Sequence, residues 1–575
     1  MMSRFVAALV LIVGLAPLAE SAENPPVAAK SELRDLVSRF SVDLDALGRR
    51  YPVDASPERF QRLERFYDEW AARVEAVDFE PLGVDGRIDH VLLRNRIAYE
   101  KKLLLREKRF FGEAADLLPF ADETLALNDA RIRMETMDAP KAGAELAALA
   151  NRVEAVRKDV EQRAEGVDKL AAFRAQERLT ALSEALQSWY DFYAGYDPLF
   201  TWWSAAPYRE LTRAIDSYRS MLRERVLGIA AEEPEPIVGT PIGRDALVSD
   251  LASELIPYTP EELLAVAERE FAWCEEELRK AAREMGLGDD IMSAIEKVKT
   301  LHVAPGEQPD LIRDLAREAE AYLEDHDLIT VPPLAREVWR MRMMTPERQK
   351  VNPFFTGGEV ISVSFPTDTM EHADKLMSLR GNNIHFARAT VFHELIPGHH
   401  LQGFMNARYN AHRRAFRTPF WVEGWALYWE MLLWDRGFAR GPEDRVGMLF
   451  WRMHRASRIL FSLGFHLAEM TPEECIELLV ERGGHELANA EAEVRRSFNG
   501  SYPPLYQLAY MMGGLQFRAL HDELVGSGKM TDRDFHDSVL EGGSMPVEMV
   551  RVLVRQELIP RDYHASWRFA GQLEK

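Results

Sequence analysis

The stretch SPERFQRLERFYDEWAARVEAV, residues 56–77, fixes the fold class, because its apolar residues recur at helical spacing. It opens on Ser56-Pro57-Glu58, a capping residue followed by proline at the first turn. The same pattern returns outward along the chain, in DHVLLRNRIAYEKKLLLRE at 89–107, in the long run 140–194 and in TPEELLAVAEREFAWCEEELRKAAREMG at 259–286. Charged residues on these stretches read as solvated helix faces. A turn-rich connector, EEPEPIVGTPIG, lies at 232–243, and no repeat of fixed period is present. Between 328 and 366 the character changes. ITVPP, REVWRMRMM and GGEVISVSFP carry β-branched residues punctuated by Pro and Gly, and read as short strands. Helices resume from His372. The expectation is a mainly α, large multi-helix fold with a small β-sheet placed just before a metal-binding helix pair.

The chain has 575 residues, 47% of them hydrophobic, and a formal net charge of −22. That composition supplies ample core and excludes disordered, collagen-like and disulfide-scaffold classes. The acidic balance argues against nucleic acid as a partner, since that partner demands a basic face. Met1–Arg4 followed by the apolar run Phe5–Leu18 and the small residues Ala19, Ser21 and Ala22 matches an export signal ending near residue 22. The run is short and broken by Gly14 and Pro17, so no stable membrane span is expected after cleavage, and the mature chain is expected in the periplasm or secreted. No cysteine lies near the cleavage region to carry a lipid. The expected layout is a helical N-terminal half, 23–325, and a catalytic half, 326–575, within one continuous unit. Cys274 and Cys475 could pair or remain two buried thiols. Oligomeric state is not legible.

The chemistry converges on residues 390–430. TVFHELIPGHHLQ brings together His393, Glu394, His399 and His400. The familiar metallopeptidase signature places two histidines at i and i+4 with a glutamate after the first as base. Here Pro397 occupies i+4 and the second histidine falls at i+6. On an unbroken helix that residue lies ~9 Å further along the axis and about 120° around it. Two nitrogens on one zinc can be only about 3.4 Å apart. A regular helix therefore fails. Pro397 lacks an N–H and Gly398 accepts unusual dihedrals, so these two are expected to bulge out of the ladder and return His399 to the ligand position. His400 ranks below it. A third ligand is expected from FWVEGWALYWE at 420–430, an apolar helix with two acids seven apart on one face. A carboxylate there needs a partner. Glu423 is the expected ligand, Gly424 lets another helix approach, and Glu430 is either a support behind the ligands or an exposed helix end.

HELIPGHHLQ followed by EGWALYWE resembles the bacterial "domain of unknown function 885" family, related to the gluzincin zinc metallopeptidases. DHVLLRNRIAYEKKLLLRE and YPPLYQLAYMMGGLQ at 502–516 resemble it too. That resemblance implies His393, His399 and Glu423 as ligands of one zinc ion, Glu394 as general base, a mostly α fold and hydrolysis of peptides. Where relatives carry Pro-Gly-Gln ahead of the late tyrosine, this chain has Pro504-Leu505-Tyr506 before Tyr510. Three protein ligands leave a fourth position for water, whose pKa the metal lowers. The oxyanion that follows calls for a further donor, and Tyr510, then Tyr506, are the candidates. The strand in GGEVISVSFP is a candidate edge for an extended peptide.

Other features carry plainer readings. His385 reads as a structurally satisfied histidine. Arg495-Arg496 could hold a substrate carboxylate, although such pairs more often close a helix end. Trp202-Trp203 and the methionines read as core filling. The leading expectation is an exported zinc-dependent metallopeptidase for short peptides. Its alternative is a periplasmic peptide-binding or scaffold protein with an inactive metal site, and a third reading is a zinc hydrolase for non-peptide amides.

Overall fold

The computed structural model describes residues 31–571 apart from 55, 231–236, 350–353 and 501. The expected export signal and the first part of the connector lie outside the described residues. Helix α1 (Pro57–Glu75) begins as its sequence demands: Ser56 accepts from the Arg59 amide and Pro57 occupies the first turn. Helix α2 (Val84–Glu113) follows it. The long run after Pro140 is two helices, α3 (Ala139–Gln162) and α4 (Lys169–Tyr193), separated by a 3-10 turn at Ala164–Gly166. Together with α5 (Pro198–Met221) they close a core of their own around Leu146, Leu182, Trp189 and Tyr218. Helix α6 (Pro260–Glu284) opens with a reciprocal capping box between Thr259 and Glu262.

The sheet is smaller than its sequence signature. Strand β1 (Arg340–Met343) pairs in parallel with β2 (Val360–Val363), Arg340 opposite Val360. ITVPP forms no strand. Pro332 and Pro333 have no N–H for a ladder, and Pro333 instead starts a short helix to Val338 that absorbs the first residues of REVWRMRMM. The far edge of β2 is partly taken by the chain itself, because Thr356 and Ser362 exchange backbone hydrogen bonds of 3.0 and 2.8 Å. That closure removes part of the edge expected to receive a peptide.

Six further helices frame the cleft. They are α7 (Ile384–Glu394), α8 (His399–Asn406), α9 (Pro419–Asp435), α10 (Pro442–His466), α11 (Leu487–Phe498) and α12 (Tyr506–Leu524). A single large apolar core runs from Val37 to Ala570 and contains Trp421, Trp425, Trp429, Met511 and Phe517. At roughly 1.5–3 kcal/mol for each large apolar side chain buried, this core dominates the stability. Helices α9 and α12 pack backbone to backbone. A Cβ on Gly513 would stand 2.1 Å from the Phe420 carbonyl, and one on Gly424 would stand 2.5 Å from Gly513 Cα. Both glycines are therefore required for the approach, as expected for Gly424.

Two further expectations are overturned. Not every charge on the amphipathic helices is solvated: Asp89 on α2 is fully buried, bonded to Arg413 Nε and His412 Nε2 at 2.7 Å each. Arg413 also reaches Asp85 Oδ1 and the Gly542 carbonyl at 2.8 Å, so this group ties three distant segments together. The tryptophan pair is not core either. Trp202 is 81% exposed and Trp203 48%, because α5 turns its other face, Phe200 and Leu211, into the α3–α5 core. Cys274 and Cys475 are free and buried, and burial pushes both thiols up to about 12. Among the described residues no helix is long and apolar enough to cross a membrane.

Candidate metal centre

The site depends on how α7 stops. After Glu394 the chain breaks at Leu395 (φ −109°, ψ −103°), passes through a cis Ile396–Pro397 peptide, and restarts as α8 at His399. Gly398 donates to the Phe392 carbonyl at 3.0 Å, and the Pro397 carbonyl accepts from Trp425 Nε1 at 2.8 Å. A Cβ on Gly398 would lie 1.7 Å from the His393 carbonyl oxygen, so only glycine fits. The expected bulge is thus a full break with a new helix beyond it. The consequence for His399 is the same: the two imidazole centroids are 4.8 Å apart and their rings stand at 88°.

Helix α9 supplies the third group. Glu423 Oε2 stands 3.2 Å from His399 Nε2 and 3.8 Å from His393 Nε2. One ligand atom from each of His393, His399 and Glu423 falls within 4.8 Å of the others. Buried Glu423 Oε2 faces the two imidazole Nε2 atoms, an arrangement that a cation held between the three groups would satisfy. Two imidazoles and one carboxylate are a donor set that suits zinc. Burial opposes charge on His399, yet the carboxylates of Glu423 and, further off, Glu394 lift its pKa to about 9. Burial would likewise raise Glu423, but His399, His393 and Tyr506 hold it well below the usual carboxylate range. Charges converge here.

Glu430, one face-repeat along α9, is not an exposed helix end. It is buried, and its Oε1 accepts from His393 Nδ1 at 2.6 Å. Tyr506 donates its hydroxyl to Glu423 Oε1. Each of these two groups fixes a member of the triad from behind. His400 turns away and bonds the Ala335 carbonyl at 2.7 Å, and burial lowers its pKa. His385 bonds Asp444 at 2.7 Å, a structural contact.

A cleft of about 230 Å³ opens on the triad and is lined by Glu394, Tyr510, Arg455, Arg458, Arg496 and Tyr502, among others. Gly357 seats against Glu394, where a Cβ would fall 2.5 Å from Glu394 Oε2, and the Gly358 amide donates to the Glu394 carbonyl at 3.1 Å. Tyr510 lies nearly parallel to His393, 6.4 Å between centroids. Burial, with Glu423 nearby, raises its phenol far above the ordinary value, so it stays a donor. Its hydroxyl bonds no other described residue. Tyr506, by contrast, is committed to Glu423. Arg496 closes the last turn of α11 and pairs with Glu493, the helix-end reading, while also lining the cleft; Arg455 and Arg458 were not singled out in the sequence. The legible signal was arginine at every third position of an otherwise apolar helix, in FWRMHRASRILF at 450–461.

No curated protein matches the chain at a significant level. Among the solved structures that share its fold are two described as putative lipoproteins. One, "a putative lipoprotein of unknown function" from Shewanella oneidensis, has 19% identity and a TM-score of 0.66, covering 91% of this chain and 99% of its own. The other, described as "the putative lipoprotein from Colwellia psychrerythraea", has 15% identity and a TM-score of 0.59, covering 92% of this chain and 98% of its own. The match to the sequence profile of the family described as "Bacterial protein of unknown function (DUF885)" extends over residues 46–554, and the chain belongs to that family.

Proposed function

We propose that the chain is an exported zinc-dependent peptidase that hydrolyses short peptides. The observation that carries this reading is the buried His393–His399–Glu423 triad opening on a cleft that also contains Glu394 and Tyr510. The two-histidine, one-glutamate set is that of gluzincin peptidases, and export rests on the leader pattern at residues 1–22. A zinc ion held by the triad would polarise a carbonyl and make a water acidic enough to deprotonate near neutrality.

The chain's own groups do the rest. Glu394, next to a ligand but lining the cleft, accepts a proton from the attacking water and returns it to the leaving amine. Tyr510 offers its hydroxyl to the oxygen on which negative charge develops. Tyr506 holds Glu423, and Glu430 holds His393 with its proton on Nδ1, leaving the Nε2 lone pair toward the triad. The cleft, small for a ligand site, suits one or two residues of a peptide rather than a folded protein.

The test is to incubate the zinc-loaded protein with a mixed peptide pool beside Glu394→Gln. Cleavage by wild type and not by the variant supports the reading. A pool left equally intact by both sinks it.

A further inference from the structure

Beyond the triad, the cleft contains a concentration of cations that the proposed hydrolysis does not use. Arg455 and Arg458 on α10 are almost fully buried, and Arg496 on α11 is partly so. They share two carboxylates. Arg458 Nε donates to Glu493 Oε1 at 2.7 Å, Arg496 pairs with Glu493 Oε2, and Arg455 Nη2 lies 3.6 Å from Glu430 Oε1. Three guanidiniums meet two carboxylates in direct contact, Glu493 and Glu430. Arg455 Nε, Arg458 Nη1 and Arg496 Nε are buried and have no hydrogen-bond partner among the described residues. Buried donors left in this way cost stability, and all three arginines line the cleft, where their guanidinium groups can meet an anionic ligand.

The spacing points to which acceptor. Tyr510 lies close to both the cations and the triad. Its ring is 4.7 Å from the Arg455 guanidinium carbon, 4.3 Å from that of Arg458 and 6.4 Å from the His393 ring centroid. An extended residue spans ~3.5 Å, so one or two residues bridge a carbonyl at the triad and an anion at the arginines. Guanidinium groups match carboxylates in a planar, two-point geometry. We propose that Arg455, Arg458 and Arg496 bind the C-terminal carboxylate of the substrate peptide, directing the cut to one or two residues from its C-terminal end. This rests on the peptidase reading. Hydrolysis then consumes one water and yields a shortened peptide with a new carboxylate and a free amino acid or dipeptide.

The proposal is tested by binding, in the metal-free full chain, so that zinc does not itself capture the carboxylate. Three probes are titrated calorimetrically: N-acetyl-dialanine with a free C-terminus, its C-terminal amide, and N-acetyl-alanyl-aspartate amidated at the C-terminus. The free acid is expected to bind at least about tenfold tighter than either amide, as a charge-assisted two-point contact requires. Arg496→Gln, checked for an unchanged melting profile, should bring acid and amide together. Equal binding of acid and amide by wild type, or binding of none of the three, overturns the proposal. Acid-like binding of the aspartyl amide overturns the assignment to a chain terminus, since a side-chain carboxylate would then suffice. A protein that prefers the acid yet cuts nothing in the peptide pool keeps the carboxylate site and loses only the enzyme.

Discussion

Glu430 Oε1 lies 2.6 Å from His393 Nδ1, and Glu423, seven residues earlier on the same helix, faces the other nitrogen of that imidazole. One helix thus grips both sides of His393. The hydrogen bond fixes the tautomer, because a carboxylate only accepts, and it leaves the Nε2 lone pair facing Glu423 and His399. Glu430→Gln is therefore expected to lower zinc affinity by about 10–100-fold while leaving the fold intact. Competition against a chelator of known affinity measures this. His399→Ala and Glu423→Ala should lose zinc altogether and His400→Ala should not. Zinc loss in His400→Ala would refute the ligand assignment.

Glu394→Gln should retain stoichiometric zinc by elemental analysis and lose about 10²–10⁴-fold in kcat. Tyr510→Phe should lose about 10²–10³-fold in kcat with little change in KM, since the donor acts on charge that develops late. A Tyr510→Phe variant with wild-type kcat would remove this residue from the proposed chemistry.

Gly398→Ala places a methyl inside the contact radius of the His393 carbonyl, 1.7 Å away, and neither backbone partner can yield without moving a ligand. The variant should bind no zinc and be destabilised by about 2 kcal/mol or more. Chemical denaturation and metal content, read together, check it.

Asp89→Ala strips one carboxylate from Arg413, which is 0% exposed, and leaves part of a buried charge uncompensated. Losing a partner of a buried ion pair costs about 3–5 kcal/mol. Urea unfolding should show that loss without any change in zinc affinity, since no residue of the network lines the cleft.

Acid should destabilise the metal-free protein. Burial lowers His485 and His536 to about 3 and His466 to about 4. In the unfolded chain these groups protonate near ~6.5. Between those values the unfolded state binds more protons, so stability is full above pH ~6.5 and falls as pH drops toward about 3. The summed loss is on the order of 10 kcal/mol. His399 does not add to it, because its pair with Glu423 keeps it protonated up to about 9. A melting temperature unchanged between pH 7.5 and 4.5 would contradict these assignments.

Helical periodicity, the Ser56 cap, the Gly424 approach and the spacing of His393, His399 and Glu423 were all legible in the sequence. Each is local: it depends on a few neighbouring residues and the pitch of a helix. Pro397 and Gly398 announced an irregularity, but whether the helix bulges or stops depends on Trp425 capturing the Pro397 carbonyl from another helix. The same holds for Glu430, whose role exists only because α9 lies against His393. The exposed Trp202, the buried Asp89 and the arginines gathered around Tyr510 follow from which helix faces meet. Hydrophobicity along one chain assigns a face to burial or water, but not the partner that face will find, and only tertiary packing supplies that partner.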